Sequence, residues 1–222
     1  MCELRRELEN SLSWILSVIG AGGSGKTSSA LWILENWFPE EKIAIYKYHD
    51  SVLQAYPEHV RKRCVTYENM EEIVDRPYII FLDDTALHFL SRSTSNKDNK
   101  DLVQQLSIAR HNDHRVISTA QNSILVDKGV YESLDQYSLR SRMTDLQART
   151  EREDVVELQL QINSMLKDAG QRYLPKARKG LRYCPETDEI LYFPAVSWMN
   201  DQISKPYKGY YVKSGELIHS GN

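Results

Sequence analysis

The chain alternates short apolar runs with segments in which apolar residues recur at helical spacing. Residues 14–19 are almost continuously apolar, which is typical of a strand that is buried on both faces. Residues 28–37 then place Leu31, Leu34 and Trp37 three positions apart, which predicts a helix. The same patterns predict strands at residues 42–48, 64–67, 78–84, 115–120 and 136–142, and helices at residues 68–74, 85–90 and 102–111. Residues 1–10 are charged and form either a short helix or a frayed arm. Strands that alternate with helices predict a three-layer α/β domain with a mainly parallel central sheet.

The C-terminal third of the chain has a different pattern. Residues 151–169 predict an amphipathic helix, with Gly170 as its stop, and residues 181–193 predict a β-hairpin. The tail that follows has no clear period. We therefore expect a core in residues 1–150 and an appendage in residues 151–222, in which the helix, the hairpin and the tail pack on the core.

A glycine-rich loop lies between the first predicted strand and the first predicted helix. Residues 20–27 fit the pattern G-x-x-x-x-G-K-[ST] of the phosphate-binding loop, or Walker A motif, of nucleotide triphosphatases. Glycines allow positive φ, so successive N–H groups can surround an anion. Lys26 adds a positive charge for the β- and γ-phosphates, and the Thr27 hydroxyl can bind Mg²⁺. A glycine-rich turn can match this pattern by chance, but the strand before it and the helix after it favour a nucleotide site.

The predicted cofactors are therefore ATP and Mg²⁺. The residues expected to contact the nucleotide are Gly20, Ala21, Gly22, Gly23, Ser24, Gly25, Lys26, Thr27 and Ser28.

Polar residues end two later strands. Asp83 and Asp84 follow an apolar run, as in a Walker B motif, and Gln121 ends the strand after it. Because ligands of open parallel sheets bind at the carboxyl ends of the strands, we expect Asp83 to hold Mg²⁺ together with Thr27. Asp84 is the candidate for orienting the attacking water, and Gln121 for a contact near the γ-phosphate. Alternatively, the two acids begin a helix and Gln121 is an ordinary strand-end amide.

Composition and charge restrict the function further. The net charge of −3 gives no global attraction to nucleic acid, so any such contact has to be local. Three widely separated cysteines suit a reducing compartment and match no zinc pattern. The chain contains no apolar run of the roughly 20 residues that a membrane span requires. We therefore expect a cytoplasmic protein that is not an integral membrane protein.

Four stretches together resemble the FtsK/HerA superfamily of DNA-pumping ATPases: residues 20–27, 81–84, 108–111 and 116–122. Within that superfamily, the small size and the Arg-His before the glutamine strand are most similar to the genome-packaging ATPases of membrane-containing double-stranded DNA viruses, including archaeal ones. The resemblance implies a RecA/ASCE-like fold and a homo-oligomeric ring, commonly a hexamer, with ATP between subunits. ATP hydrolysis would drive duplex DNA through the ring, and capsid or virion membrane proteins would be further partners.

The family also implies residues for catalysis. A glutamate usually follows the Mg²⁺ aspartate, whereas this chain has Asp84, which is one methylene shorter. An arginine acting in trans on the phosphoryl group is expected from Arg140 or Arg142, which lie two apart on the last predicted strand and share one face. Arg110 and Arg115 are rivals.

The candidates for DNA contact form one basic stretch. Alternatively, this stretch is a solvated linker between the helix and the hairpin. The polar loop at residues 91–100 could line a pore instead. The stretch contains Arg172, Lys176, Arg178, Lys179 and Arg182.

Two other classes of function remain open. One is a nucleoside or small-molecule kinase, since such kinases also combine this loop with a short α/β domain. The other is a switch or assembly protein that binds a nucleotide at this site and hydrolyses it slowly. Asp83, Asp84 and Gln121 favour hydrolysis by water over transfer to a small acceptor. Together with the resemblance to DNA-pumping ATPases, these residues favour an ATP-hydrolysing DNA translocase.

Overall fold

A computed structural model describes most of the chain. The described residues are 1–46, 48, 50–83, 108, 112–121, 136–151, 153–173, 180–204, 210–213 and 216–219. The helix predicted at residues 85–90 and the loop predicted at residues 91–101 lie outside them. Of the helix predicted at residues 102–111, the structure describes only Ile108, which is helical.

Eight strands of the described part form one mixed sheet. From edge to edge these are β3 (Cys64–Tyr67), β2 (Ile43–Tyr46), β4 (Ile79–Leu82), β5 (Arg115–Ala120), β1 (Ile15–Ile19), β6 (Gln136–Arg140), β7 (Leu181–Cys184) and β8 (Glu189–Tyr192). The first six are mutually parallel, whereas β7 runs antiparallel to β6 and β8 antiparallel to β7. The predicted fold class, a P-loop NTPase with a mainly parallel sheet and a C-terminal helix and hairpin, is confirmed. The hairpin extends the edge of the central sheet.

The described helices and turns complete the architecture. They are α1 (Glu3–Asn10), α2 (Lys26–Asn36), α3 (Asp50–Leu53), α4 (Glu58–Arg61), a 3₁₀ turn (Met70–Ile73), α5 (Asp145–Ala148), α6 (Glu153–Tyr173) and α7 (Asp201–Ser204). A separate two-stranded antiparallel sheet of β9 (Tyr210–Lys213) and β10 (Glu216–His219) lies in the tail, where the sequence indicated no element. None of the described helices has the length and apolar character that crossing a bilayer requires.

The sheet separates two helical layers. All five residues of β1 are buried, and Ile15 belongs to one of two clusters of apolar side chains. Leu16 and Val18 belong to the cluster that contains residues of α1 and α2. On β7, Cys184 faces that same cluster, whereas Leu181 and Tyr183 pack with residues of α6. Because neighbouring strand residues point to opposite faces, α2 and α6 cover opposite sides of the sheet.

One predicted boundary is wrong. The long helix does not end at Gly170 but continues to Tyr173. Ala169 and Gly170 are buried, so packing against the sheet outweighs the cost of about 1 kcal/mol that glycine imposes on a helix.

The segment after α6 packs on both N-terminal helices. The Phe193 ring lies 5.6 Å from the rings of Trp32 and Trp37 on α2, and Trp198 donates to Glu35 at 3.2 Å. The carboxylate of Glu189 accepts hydrogen bonds from the N–H groups of Glu3 and Leu4, each at 2.9 Å. Residues distant in sequence therefore stabilise the positions of α1 and α2. The domain boundary predicted at residue 150 stays a prediction.

Replacing Glu189 with glutamine should weaken the attachment of α1. Burial raises the pKa of Glu189, but hydrogen bonds from Leu4 and Glu3 lower it more, so the pKa lies below its ordinary value. A carboxylate with a depressed pKa stabilises the fold above its unfolded-state pKa and loses that contribution as the pH falls through the folded-state pKa. We expect Glu189→Gln to lower the free energy of unfolding by about 0.5–1 kcal/mol at pH 7 and by less near pH 3.

Denaturant unfolding at both pH values measures this change. Glu157→Gln, at an exposed glutamate of α6, serves as the control. An equal loss of stability in the two variants, or a loss that does not depend on pH, would contradict the capping role.

Candidate functional site

The glycine-rich loop connects β1 to α2 in the conformation that anion binding requires. Gly23 and Gly25 have φ of 72° and 84°, in the left-handed region that favours glycine. The carbonyl of Ala21 accepts hydrogen bonds from Ser24 N at 3.1 Å and Lys26 Nζ at 3.2 Å, which closes the loop. A Cβ on Gly23 would meet no atom within 4 Å, so the front of the loop faces open space. The loop can therefore receive an anion at the N-terminus of α2.

Gly20 fixes the base of the loop between two strands. Its N–H donates to Ala120 O on β5 at 3.1 Å, and Ser141 N, just after β6, donates to Ile19 O at 2.9 Å. A Cβ on Gly20 would lie 1.7 Å from Ser141 Oγ and 2.8 Å from Ser24 Oγ. Glycine is required here because neighbouring atoms occupy the position of a side chain, although φ is not positive.

The carboxylate of Asp83 connects the loop to three other segments. Asp83 is 4% exposed and directly follows β4. Its Oδ1 accepts hydrogen bonds from Thr27 Oγ1 at 2.9 Å and from Thr119 Oγ1 on β5 at 2.7 Å. Its Oδ2 accepts from the Tyr48 hydroxyl, beyond β2, at 2.6 Å. A buried carboxylate with several donors has a fixed orientation, so Asp83 is held toward the start of α2.

Thr27 and Asp83 fit the requirements of a magnesium site. They present oxygen atoms 2.9 Å apart beside the phosphate-binding loop. Mg²⁺ prefers oxygen ligands, and it commonly binds to one or two protein groups together with phosphate and water. Within the described ranges, no group of three or more His, Cys, Asp and Glu side chains could hold a metal ion. Thr27 and Asp83 are therefore the residues that would hold Mg²⁺ with a bound nucleotide.

The remaining predicted nucleotide contacts belong to α2 or to neighbouring strand ends. Ser28 is buried, and its hydroxyl accepts a hydrogen bond from Val196 N at 3.3 Å, so this hydroxyl contacts the C-terminal segment. Gln121 is exposed and directly follows Ala120, which pairs with Ile19. Gln121 and Gly20 therefore both lie at the carboxyl ends of the parallel strands. Asp84 lies outside the described residues, and its role stays a prediction.

The two arginines predicted on one strand face have different surroundings. β6 ends at Arg140, which is 6% exposed and donates to Gln159 on α6 at 3.4 Å. Arg142 lies beyond the strand and is exposed. The prediction that both belong to the strand is wrong, because the chain leaves the sheet after Arg140. Only Arg142 of this pair is accessible at the surface.

The rival arginines give no better candidate. Arg115 begins β5, at the end of the strand opposite to the phosphate-binding loop. Its guanidinium is 2.8 Å from the Glu41 carboxylate and 5.9 Å from the centre of the Phe38 ring. Arg110 lies outside the described part of the chain.

The predicted DNA-binding stretch loses one member. Arg182 is completely buried and donates to Ser24 O at 2.8 Å and to Leu181 O at 2.9 Å, so it cannot contact DNA on the surface. The sequence-based assignment of Arg182 is therefore wrong, because a pattern of charges does not reveal burial. Arg172 belongs to α6, and Lys176, Arg178 and Lys179 lie outside the described residues.

Four residues of the site were not predicted. They are Tyr48, Thr119, Ser141 and Arg182. Tyr48 and Thr119 lie at or just beyond the carboxyl ends of predicted strands, which is a weak indication of a site. Ser141 and Arg182 belong to distant parts of the chain, and their contacts with the loop depend on tertiary structure.

No family model matches the chain, and no curated protein matches it. Among solved structures, it is similar to the genome-packaging NTPase B204 of Sulfolobus turreted icosahedral virus 2 in complex with AMP. The identity is 12%, over 84% of this chain and 99% of that one, with a TM-score of 0.46.

It is also similar to the N-terminal domain of zonular occludens toxin from Neisseria meningitidis, at 19% identity over 58% of this chain and 76% of that one, with a TM-score of 0.40. ATPases 2 and 3 of Thermomonospora curvata EccC, in complex with a signal sequence peptide, match at 13% identity over 82% of this chain and 37% of that one, with a TM-score of 0.46. The similar structures thus include a viral genome-packaging NTPase and ATPase domains, the class that the motifs resemble. The P-loop NTPase fold itself follows from the strand order and the phosphate-binding loop of this chain.

Replacing Gly20 with alanine should disrupt the loop, because the new Cβ would overlap Ser141 Oγ. Overpacking of this kind typically costs about 1–3 kcal/mol. If the bound conformation carries this cost, nucleotide affinity falls roughly fivefold to a hundredfold. Titration with a fluorescent ATP analogue measures the change.

Ser141→Gly alone is the control, because it changes the same contact without adding a Cβ to the loop. The double variant Gly20→Ala with Ser141→Gly should recover part of the affinity. Normal binding by Gly20→Ala, or no recovery in the double variant, would contradict the steric explanation.

Proposed function

We propose that this protein hydrolyses ATP and uses the energy to translocate double-stranded DNA, packaging a viral genome. The observation that carries the proposal is the hydrogen bond between Thr27 and Asp83, with Thr119 and Tyr48 on the same carboxylate. It unites the phosphate-binding loop, the acidic strand end and the neighbouring strand in one site. This arrangement supports a magnesium–nucleotide site.

The residues of this site suit hydrolysis of a phosphoanhydride. The loop amides and Lys26 bind and orient the phosphates, and the helix N-terminus favours their negative charge. When bound, Mg²⁺ would withdraw charge from the phosphate oxygens. In our proposal, Asp84 accepts a proton from the attacking water, and Gln121 helps to orient that water. Because Asp84 is shorter than glutamate, the water has to lie closer to the main chain.

DNA translocation is supported by the resemblance of four stretches to DNA-pumping ATPases, rather than by a described DNA-binding surface. We propose a homo-oligomeric ring with ATP between subunits. The remaining candidates for DNA contact are Arg172, Lys176, Arg178 and Lys179. Such contacts would neutralise backbone phosphates without reading base sequence.

The ATPase rate with and without long duplex DNA tests this function. We expect Mg²⁺-dependent release of phosphate that increases several-fold with linear duplex DNA and is abolished in Lys26→Ala, because the lysine charge contacts the phosphates. Unchanged turnover with DNA, together with phosphate transfer to a nucleoside, would replace the motor with a kinase. Hydrolysis at a normal rate by Lys26→Ala would exclude this site.

Arg142 should act on the nucleotide of a neighbouring subunit. We expect Arg142→Ala to lower kcat by about a thousandfold, the lower end of the range for trans arginines, while nucleotide affinity stays unchanged. Arg140→Ala should instead lower stability, because this buried arginine contacts Gln159 on α6. Steady-state ATPase kinetics and thermal unfolding separate the two effects.

A mixing experiment tests whether the arginine acts in trans. Arg142→Ala subunits retain the phosphate-binding loop, and Lys26→Ala subunits retain Arg142, so mixed rings should recover part of the activity. No recovery in rings shown to contain both subunits would contradict the role of Arg142.

A further inference from the structure

Arg182 joins the C-terminal hairpin to the phosphate-binding loop. It lies within β7, pairs with Leu191 of β8 and is completely buried. Its Nη2 donates to the carbonyl oxygen of Ser24 at 2.8 Å, across 158 positions of sequence. Its Nη1 donates to Leu181 O at 2.9 Å, which fixes the guanidinium against its own strand. The loop carbonyl therefore has a rigid, charged donor.

This contact determines the direction of the next amide group. The carbonyl of Ser24 and the N–H of Gly25 belong to one peptide unit, which is planar and trans, so they point in opposite directions. A carbonyl held toward β7 turns the Gly25 N–H away from β7. Gly25 has φ of 84° and directly precedes α2, where N–H groups of the loop face an anion. Arg182 thus fixes the peptide unit that precedes the helix.

The charge on Arg182 adds to this effect. Burial lowers the pKa of the guanidinium to about 10, so it stays protonated at neutral pH. A cation at the carbonyl polarises the peptide group and makes its N–H a stronger donor. A second contact from the same segment reaches the helix, since Val196 N donates to Ser28 Oγ at 3.3 Å. The hairpin segment therefore contacts the nucleotide site on both sides of Lys26.

We propose that Arg182 is a positioning residue for nucleotide binding, which holds the Ser24–Gly25 peptide with its N–H directed at the phosphates. The inference rests on the proposed nucleotide site but does not depend on DNA translocation. It assigns the hairpin a function in phosphate binding. Arg182 itself stays beneath the loop and acts through Ser24.

Arg63 provides a matched control, because it binds backbone carbonyls in the last turn of α2 and just beyond it. It donates to Phe38 O at 2.6 Å, Glu41 O at 3.2 Å and Leu34 O at 3.3 Å. Arg63→Met and Arg182→Met both remove an arginine that binds main-chain oxygens near this helix. Only Arg182→Met removes a contact with the phosphate-binding loop. Any effect that both variants share reflects stability.

The test is titration of the full chain with a fluorescent ATP analogue, at a temperature where circular dichroism shows every variant folded. We expect Arg182→Met to raise Kd at least tenfold, since charge-assisted hydrogen bonds are among the strong ones. Arg182→Lys keeps a charged donor and should lie between wild type and Arg182→Met. Arg63→Met should keep the wild-type Kd. In steady-state assays, Arg182→Met should raise KM for ATP with kcat within about threefold.

The outcomes separate the two proposals. If wild type binds no nucleotide, the proposed function fails. If wild type binds, Lys26→Ala does not, and Arg182→Met keeps the wild-type Kd and KM, the positioning role is wrong and the nucleotide site stands. Equal losses in Arg182→Met and Arg63→Met would also overturn it, because that result indicates a general loss of structure.

Discussion

The hydrogen bonds of the Asp83 carboxylate hold the candidate site together. A buried carboxylate is costly unless donors surround it, and Asp83 has three, from Thr27, Thr119 and Tyr48. These donors come from the start of α2, the end of β5 and the residues beyond β2. The carboxylate keeps all three hydrogen bonds only while these segments meet at the carboxyl ends of the parallel strands. The site therefore depends on the arrangement of the parallel strands.

The loop depends on its neighbours in the same way. Gly20 fits between Ser24 and Ser141 because it has no side chain, and Ser141 follows directly from β6. The next residue, Arg142, is exposed and is the arginine that we propose to act in trans. A movement of the chain after β6 would thus reach both the loop of one subunit and the nucleotide of the next. Arg182 adds a connection from the hairpin at the sheet edge.

The sequence predicted the parts of the site that lie close together along the chain. The loop was found because its glycines, Lys26 and Thr27 occupy eight consecutive positions, and Asp83 because it follows a buried strand. Most strands of the core and the C-terminal hairpin were also predicted in kind, since hydrophobic periodicity is a local property. The order of the strands in the sheet was not predicted.

Contacts between distant residues could not be predicted in this way. Arg182 has charged neighbours in sequence and was therefore assigned to DNA, whereas tertiary structure buries it against Ser24. Tyr48 ends a predicted strand, but its contact with Asp83 depends on how β2 and β4 pair. Gly170 favours a helix end locally, and packing on the sheet extends the helix past it.

The most direct test of the site is a high-resolution structure with Mg²⁺ and a non-hydrolysable ATP analogue. We predict the triphosphate on residues 20–27, with Mg²⁺ about 2.1 Å from Thr27 Oγ1 and bound to Asp83 directly or through one water. Asp83 should keep its hydrogen bond with Thr119. A nucleotide bound elsewhere, or a metal ion that contacts neither Thr27 nor Asp83, would contradict the proposed nucleotide site.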